Sequence, residues 1–132
     1  MSIGLLDTSV VIALAGLSDA VALPAQPRIS AITLAELSVG PLVAKSRVER
    51  AARQALLQQA EADFDAIPFD DAAARAFGRV AASMRRAGRK VRARSYDAMI
   101  AAIALAHDMP LYTCNPADFG GIDGLRVVAV AS

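Results

Sequence analysis

Asp7, Glu36, Asp97 and Asp118 are the residues of this chain whose types and placement point to chemistry. Each follows or faces the carboxyl end of a predicted strand, and in open parallel sheets that rim is where ligands bind. Four carboxylates gathered there, unneutralised by adjacent bases in sequence, repel one another unless a cation sits among them. Magnesium suits such a set, because it takes hard oxygen ligands and keeps several waters, so that one or two direct carboxylates suffice; manganese accepts the same donors. Asp7, Asp97 and Asp118 are the natural ligands, with Glu36 a further ligand or a general base. A magnesium held there lowers the pKa of a bound water and neutralises charge building on a phosphodiester during in-line attack, whether one ion binds or two about 4 Å apart. Ser9, Thr113 and Asn115 are polar neighbours able to orient a ligand or a water.

Each acid also has a plainer reading. Asp7 is equally a helix cap. Thr33 with Glu36 fits the S/T-x-x-E capping box. Asp97, two residues after Ser95, favours the positive end of a helix dipole, and Asp118 suits a turn. Asp70 and Asp71 precede an Ala-rich helix and need no role beyond capping. The single histidine, His107, falls on the last turn of a predicted buried helix, where a terminal or packing role outweighs ligation.

A second feature is basic. Between residues 85 and 94 stand Arg85, Arg86, Arg89, Lys90, Arg92 and Arg94. The run continues past any helix end, which favours a phosphate-contacting rim beside the acids over a merely solvated helix terminus. With no Trp, four Phe and two Tyr, a stacking platform for unpaired bases is not expected, so recognition of a nucleic acid would rest on shape and backbone.

The elements that must position these groups alternate. Ile3 to Leu6 is a short apolar run of the kind buried on both faces of a parallel sheet, and it ends at Asp7. Thr8 or Ser9 is expected to cap a helix through Val10, Val11 and Leu14 up to Gly16. Arg28 to Ile32 repeats the strand, and Thr33 is expected to begin a helix carrying Glu36, from whose regular course Pro41 departs. A long surface helix is predicted over Lys45 to Phe64, a strand over Asp65 to Phe69, and a helix from Ala72 to about Ala87. Ser95 is expected to cap an almost wholly apolar helix, Tyr96 to His107, left at Pro110. Leu111 to Thr113 and Leu125 to Val130 read as strands, with a turn over Asn115 to Gly121. The whole predicts an α/β three-layer sandwich with a mostly parallel central sheet flanked by helices, in a single domain over residues 1–132.

Bulk properties set limits. The chain has 132 residues, enough for one sizeable core. Its net charge of +1 gives no global argument for nucleic acid, so the basic run must act locally. One cysteine, Cys114, excludes an intrachain disulfide and a cysteine zinc cluster, and a reducing cytoplasm fits. The apolar stretch from Ile3 to Leu17 lacks a basic leader and is broken by Asp7, Thr8 and Ser9, so it does not read as an export signal, and no run is long enough to span a membrane. Apolar residues make up 55% of the chain, mostly Ala and Val, so part of the surface is expected to meet another protein.

Four segments carry a resemblance: LLDTSVVIAL at the start, ITLAELSVG from Ile32 to Gly40, YDAMIAAIALAHDMPLYTCNPADF from Tyr96 to Phe119, and the closing GLRVV. Together they resemble the PIN-domain ribonucleases, and within them the VapC-type toxins. The resemblance implies that Asp7, Glu36, Asp97 and Asp118 are the catalytic acids, with Asn115 sharing or replacing the role of Asp118. It also implies hydrolysis of RNA leaving a 5′ phosphate and a 3′ hydroxyl, a small VapB-type antitoxin as partner, and a homodimer. Competing readings are a catalytically silent RNA- or protein-binding module of this fold, and a housekeeping ribonuclease without an antitoxin. A phosphoaspartyl hydrolase built on Asp7 fits less well, since Ser9 stands where that class favours a second Asp.

Overall fold

The computed structural model describes residues 2–18 and 22–131. Four short parallel strands, β1 (Ile3–Leu6), β2 (Gln26–Arg28), β3 (Leu111–Thr113) and β4 (Val127–Ala129), form one sheet in the order β2-β1-β3-β4. The helices are α1 (Thr8–Ala13), α2 (Ala31–Leu42), α3 (Arg47–Asp63), α4 (Asp71–Arg86) and α5 (Ser95–Ala106). Side chains alternate across a strand, and adjacent Leu5 and Leu6, both fully buried, feed different cores. Leu5 packs with Ala76, Val80, Met84, Ile100 and Ile103 from α4 and α5, whereas Leu6 packs with Val10, Leu37 and Ala60 from α1, α2 and α3. Helices therefore cover both faces, giving the expected three-layer sandwich. At Gly4, on the crowded central strand, a Cβ would run into the Tyr112 ring of β3 and lie 3.1 Å from Pro24.

Several boundaries differ from the sequence reading, each for a local reason. The strand expected over Asp65 to Phe69 reduces to one parallel bridge, Ser30 with Ile67. Ile67 N–H donates to the Ile29 carbonyl and its own carbonyl accepts from Ala31 N–H, but the facing segment turns into α2 at Ala31, so no extended backbone is left beyond it to continue the ladder. The helix expected from Thr33 starts at Ala31, because Ser30 caps it by accepting from Thr33 N–H at 3.1 Å. Pro41 lies inside α2 without ending it; so near the helix terminus its missing N–H forfeits only one bond. Ser95 is not the cap of α5. It is the helix's first residue, and its hydroxyl donates to the Arg92 carbonyl at 2.7 Å across the 3₁₀ turn Arg92–Arg94 that runs into the helix. Strand β4 is shorter than Leu125 to Val130, although bonds from Leu111 N–H to Arg126 and from Val130 N–H to Thr113 extend its ladder by a residue at each end. Asp70 caps α4, as expected, accepting from Ala73 N–H. No helix among the described residues is long and apolar enough to cross a membrane.

The chain leaves β1 towards β2 on one side and returns to β3 on the other. The reversal opens a crevice at the carboxyl ends of β1 and β3.

Candidate active site

Asp7 stands where β1 ends in that crevice, only 5% exposed. Its Oδ1 accepts Val10 N–H at 3.1 Å and the Ser9 hydroxyl at 2.6 Å, and its Oδ2 accepts the Thr113 hydroxyl at 2.5 Å. Asp7, not Thr8 or Ser9, is thus the cap of α1. Capping and site membership, which the sequence posed as alternatives, coexist in one carboxylate. Three donors offset its removal from water. The two hydroxyls, having given their protons to Asp7, accept backbone N–H groups from the β3 side: Ser9 from Cys114 and Thr113 from Asn115, each at 3.0 Å. Asn115 enters through its backbone, with its side chain exposed.

Glu36 lies in the interior of α2, so the capping-box reading falls away with the true cap at Ser30. Its Oε1 accepts the Thr8 hydroxyl at 2.7 Å. Burial raises its pKa above the ordinary value, the Thr8 hydrogen bond opposes this, and the negative charge of Asp7 adds to it.

Asp97 occupies the first turn of α5. Its carboxyl is pushed up to about 6, first by burial and then by the carboxylates of Asp118, Glu36 and Asp7, while Arg94 pulls it down. Asp97 thus lies in a field to which the other three acids all contribute. Asp118 comes from the 3₁₀ turn Pro116–Phe119 beyond β3.

The acids are not wholly without a base. Arg94 sets Nη1 2.8 Å from Asp118 Oδ1 and 3.8 Å from Asp97 Oδ2. It lies three residues before Asp97, one helical turn back, a distance that reading only immediate neighbours overlooks. Arg89, read from the sequence only as part of the phosphate-contacting run, donates through Nη1 to the carbonyls of Ala117 at 2.9 Å and Gly120 at 2.8 Å, bracing the turn that carries Asp118. Arg86 pairs with Asp123 at 2.7 Å. Arg85, Lys90 and Arg92 are exposed, and Arg92 lines a cleft of about 300 Å³ with Glu36, Arg94, Tyr96 and Asp97.

As placed, no three acidic, histidine or cysteine side chains among the described residues stand close enough together to enclose a metal ion. What fits a cation is the character of the donor set, oxygen-only, with an Asp97 carboxyl raised first by burial and then by the charges of Asp118, Glu36 and Asp7. Such a set suits a hard ion that is held by one or two carboxylates and retains its waters.

The PIN-domain family profile matches residues 4–124. The chain belongs to the PIN-domain family. It is 38% identical over 129 residues to Ribonuclease VapC5 of Mycobacterium tuberculosis, a match covering 96% of this chain and 93% of the relative. Within the family it is accordingly a VapC homologue. The crystal structure of VapBC-5 from Mycobacterium tuberculosis, a member of the VapBC family of toxin-antitoxin systems, superposes with a TM-score of 0.85 at 38% identity over 98% of this chain and 100% of that one. A toxin-antitoxin complex from Klebsiella pneumoniae matches at 32% identity and a TM-score of 0.60, covering 96% of each chain. DNA-bound VapBC from Salmonella typhimurium shares the fold, with a TM-score of 0.78 at 24% identity over 98% of each chain.

Proposed function

We propose that this chain is a magnesium-dependent endoribonuclease, the toxin of a type II toxin-antitoxin pair, folded as one nuclease domain over residues 1–132. The observation that carries the reading is the field at Asp97, whose carboxyl is lifted to about 6 by burial and by Asp118, Glu36 and Asp7 at the rim of a parallel sheet.

Asp7, Asp97 and Asp118 are the residues that would hold magnesium, or manganese in its place. The bound ion supplies a water of lowered pKa and neutralises charge on the phosphate. Glu36 has one oxygen occupied by Thr8, and its other oxygen would be the one to hold a water or take its proton. Ser9 and Thr113 keep Asp7 in place, and Asn115 fixes Thr113 through its backbone N–H. Products bearing a 5′ phosphate and a 3′ hydroxyl follow from the VapC kinship.

The basic run divides into two sets. Arg92, which lines the cleft, and the exposed Arg85 and Lys90 contact RNA phosphates. Arg86, Arg89 and Arg94 have protein partners of their own, in Asp123, the Asp118 turn and the acids, and reach RNA only beside those duties.

The partner is a small VapB-type antitoxin. An apolar groove lined by Val11, Ile12, Leu14 and Leu56 runs between α1 and α3, and it meets Glu36 through a neighbouring cleft that shares Ile12 and Leu56. A segment laid there reaches the acids, where an arginine of the antitoxin would pair with them. The toxin acts in the cytoplasm as a homodimer.

Labelled structured RNA incubated with purified protein tests the reading. Cleavage should require magnesium, stop with EDTA, and be absent from an Asp97→Asn variant purified identically. Equal cleavage by that variant would expose a contaminant and leave a silent binding module as the better description.

A further inference from the structure

Thr8 lies between two site residues in three dimensions, although its side chain was assigned no part in the chemistry. Its hydroxyl is 2.7 Å from Glu36 Oε1 and 3.0 Å from the Thr33 hydroxyl. Thr33 is fully buried, and its Oγ1 is 3.5 Å from the Ser30 hydroxyl, also fully buried. A hydroxyl has one proton to give. An ionised Glu36 can only accept, so the Thr8 proton is committed to it. The Thr8–Thr33 bond must then be donated by Thr33, and the longer Ser30–Thr33 contact by Ser30. Ser30 Oγ in turn accepts Thr33 N–H at 3.1 Å, which fixes the start of the chain of bonds.

The direction is thus set: Ser30 to Thr33 to Thr8 to Glu36. A threonine in a helix can instead turn its hydroxyl back onto the carbonyl four residues earlier. For Thr33 that carbonyl is Ile29's, which accepts the Ile67 N–H at 2.9 Å. Branching at Cβ restricts the rotation of Thr8 and Thr33. Glu36, with three rotatable bonds and a half-buried site, has no such restriction of its own.

We infer that Thr8 is a positioning residue for Glu36, supplied with its hydrogen-bond direction by the buried hydroxyls of Thr33 and Ser30. The inference rests on the nuclease reading. Because Thr8 follows Asp7 directly, the turn that seats the first acid also seats the second, and the spacing between them is set by backbone and by short, stiff side chains. Thr8 occupies Oε1 and leaves Oε2 for the cleft shared with Asp97.

The test is steady-state cleavage of RNA by the wild type, Thr8→Val, Thr8→Ser and Thr33→Val, with Asp97→Asn as the blank and a melting temperature for each protein. Thr8→Val should lower kcat about 10- to 100-fold while KM stays within about two-fold, the loss expected when a charge-assisted hydrogen bond orienting a reacting group disappears. Thr8→Ser, which restores the hydroxyl, should recover most of kcat, and Thr33→Val should show a smaller loss of the same kind. Wild-type kcat in Thr8→Val, an equal loss in Thr8→Ser, or a loss confined to KM would overturn the inference. Should Thr8→Val not fold, Thr8→Ala is judged by the same criteria. Wild-type cleavage no greater than the Asp97→Asn blank would instead bring down the nuclease reading itself, and this inference with it.

Discussion

The Thr113 hydroxyl donates to Asp7 Oδ2 at 2.5 Å, joining residues 106 positions apart in the chain. Thr113 ends β3 and Asp7 follows β1, the two strands that meet at the sheet's reversal. Replacing Thr113 with Val keeps the shape but leaves a buried carboxylate short of a donor and Asn115 N–H short of an acceptor. Urea unfolding should show a loss of about 1.5–3 kcal/mol, the range for a buried hydrogen bond to a charged group. Cleavage should fall with it, and a variant as stable as wild type would show that the contact adds little.

Asp97 gives the protein a pH signature. Its carboxyl sits at about 6 in the folded chain against an ordinary 3.8, so the folded state binds the proton more tightly than the unfolded state. The resulting stability is fully present below about pH 4 and is lost as pH rises through 6. Asp97→Asn removes the charge, so without metal it should be more stable than wild type at pH 7.5, on the order of 1–2 kcal/mol once solvent screening is allowed for. The advantage should vanish near pH 4. A variant less stable than wild type at both pH values would contradict the assigned strain.

Magnesium should reverse that strain. Adding it at pH 7.5 should raise the melting temperature of the wild type, since a ligand that binds only the folded state stabilises it by mass action. The rise should shrink at pH 5, where Asp97 holds its proton, and in Asp97→Asn. A shift of the same size in all three conditions would mean that the ion binds elsewhere.

The basic run should separate by kinetics. Arg92→Ala is expected to raise KM and reduce the salt slope by about one unit, as for a lost phosphate contact. Arg89→Ala removes the two bonds to Ala117 and Gly120, so it should lower kcat by loosening the turn that holds Asp118. Identical profiles for the two variants would argue against the division into rim and brace.

Much of this was legible in residue type and spacing. The apolar runs at Ile3–Leu6 and Leu111–Thr113 announced buried strands, and the charges of Asp7, Glu36 and Asp118 all bear on Asp97. Less legible was anything depending on which group wins a shared partner. Asp7, Thr8 and Ser9 were all able to cap α1, and only the folded chain shows Asp7 taking Val10 N–H. Thr33 was expected to begin α2, and only the folded chain shows Ser30 taking the Thr33 N–H as its cap. The expected strand shrank to a single bridge because the segment facing it turns into α2 at Ala31, an effect that apolar patterning does not register. Arg94 and Arg89 looked alike in a run of charge, and their separate duties depend on where the turn carrying Asp118 falls.

The sheet order also has a consequence for timing. Strand β1 is the first element made, yet one of its neighbours, β3, is among the last. A growing chain has Asp7 more than a hundred residues before it has Thr113 and Asp118, and non-local strand pairing of this kind forms late. The acids therefore meet only once β3 and the turn beyond it have joined β1, so a chain cut before Thr113 carries no assembled cluster.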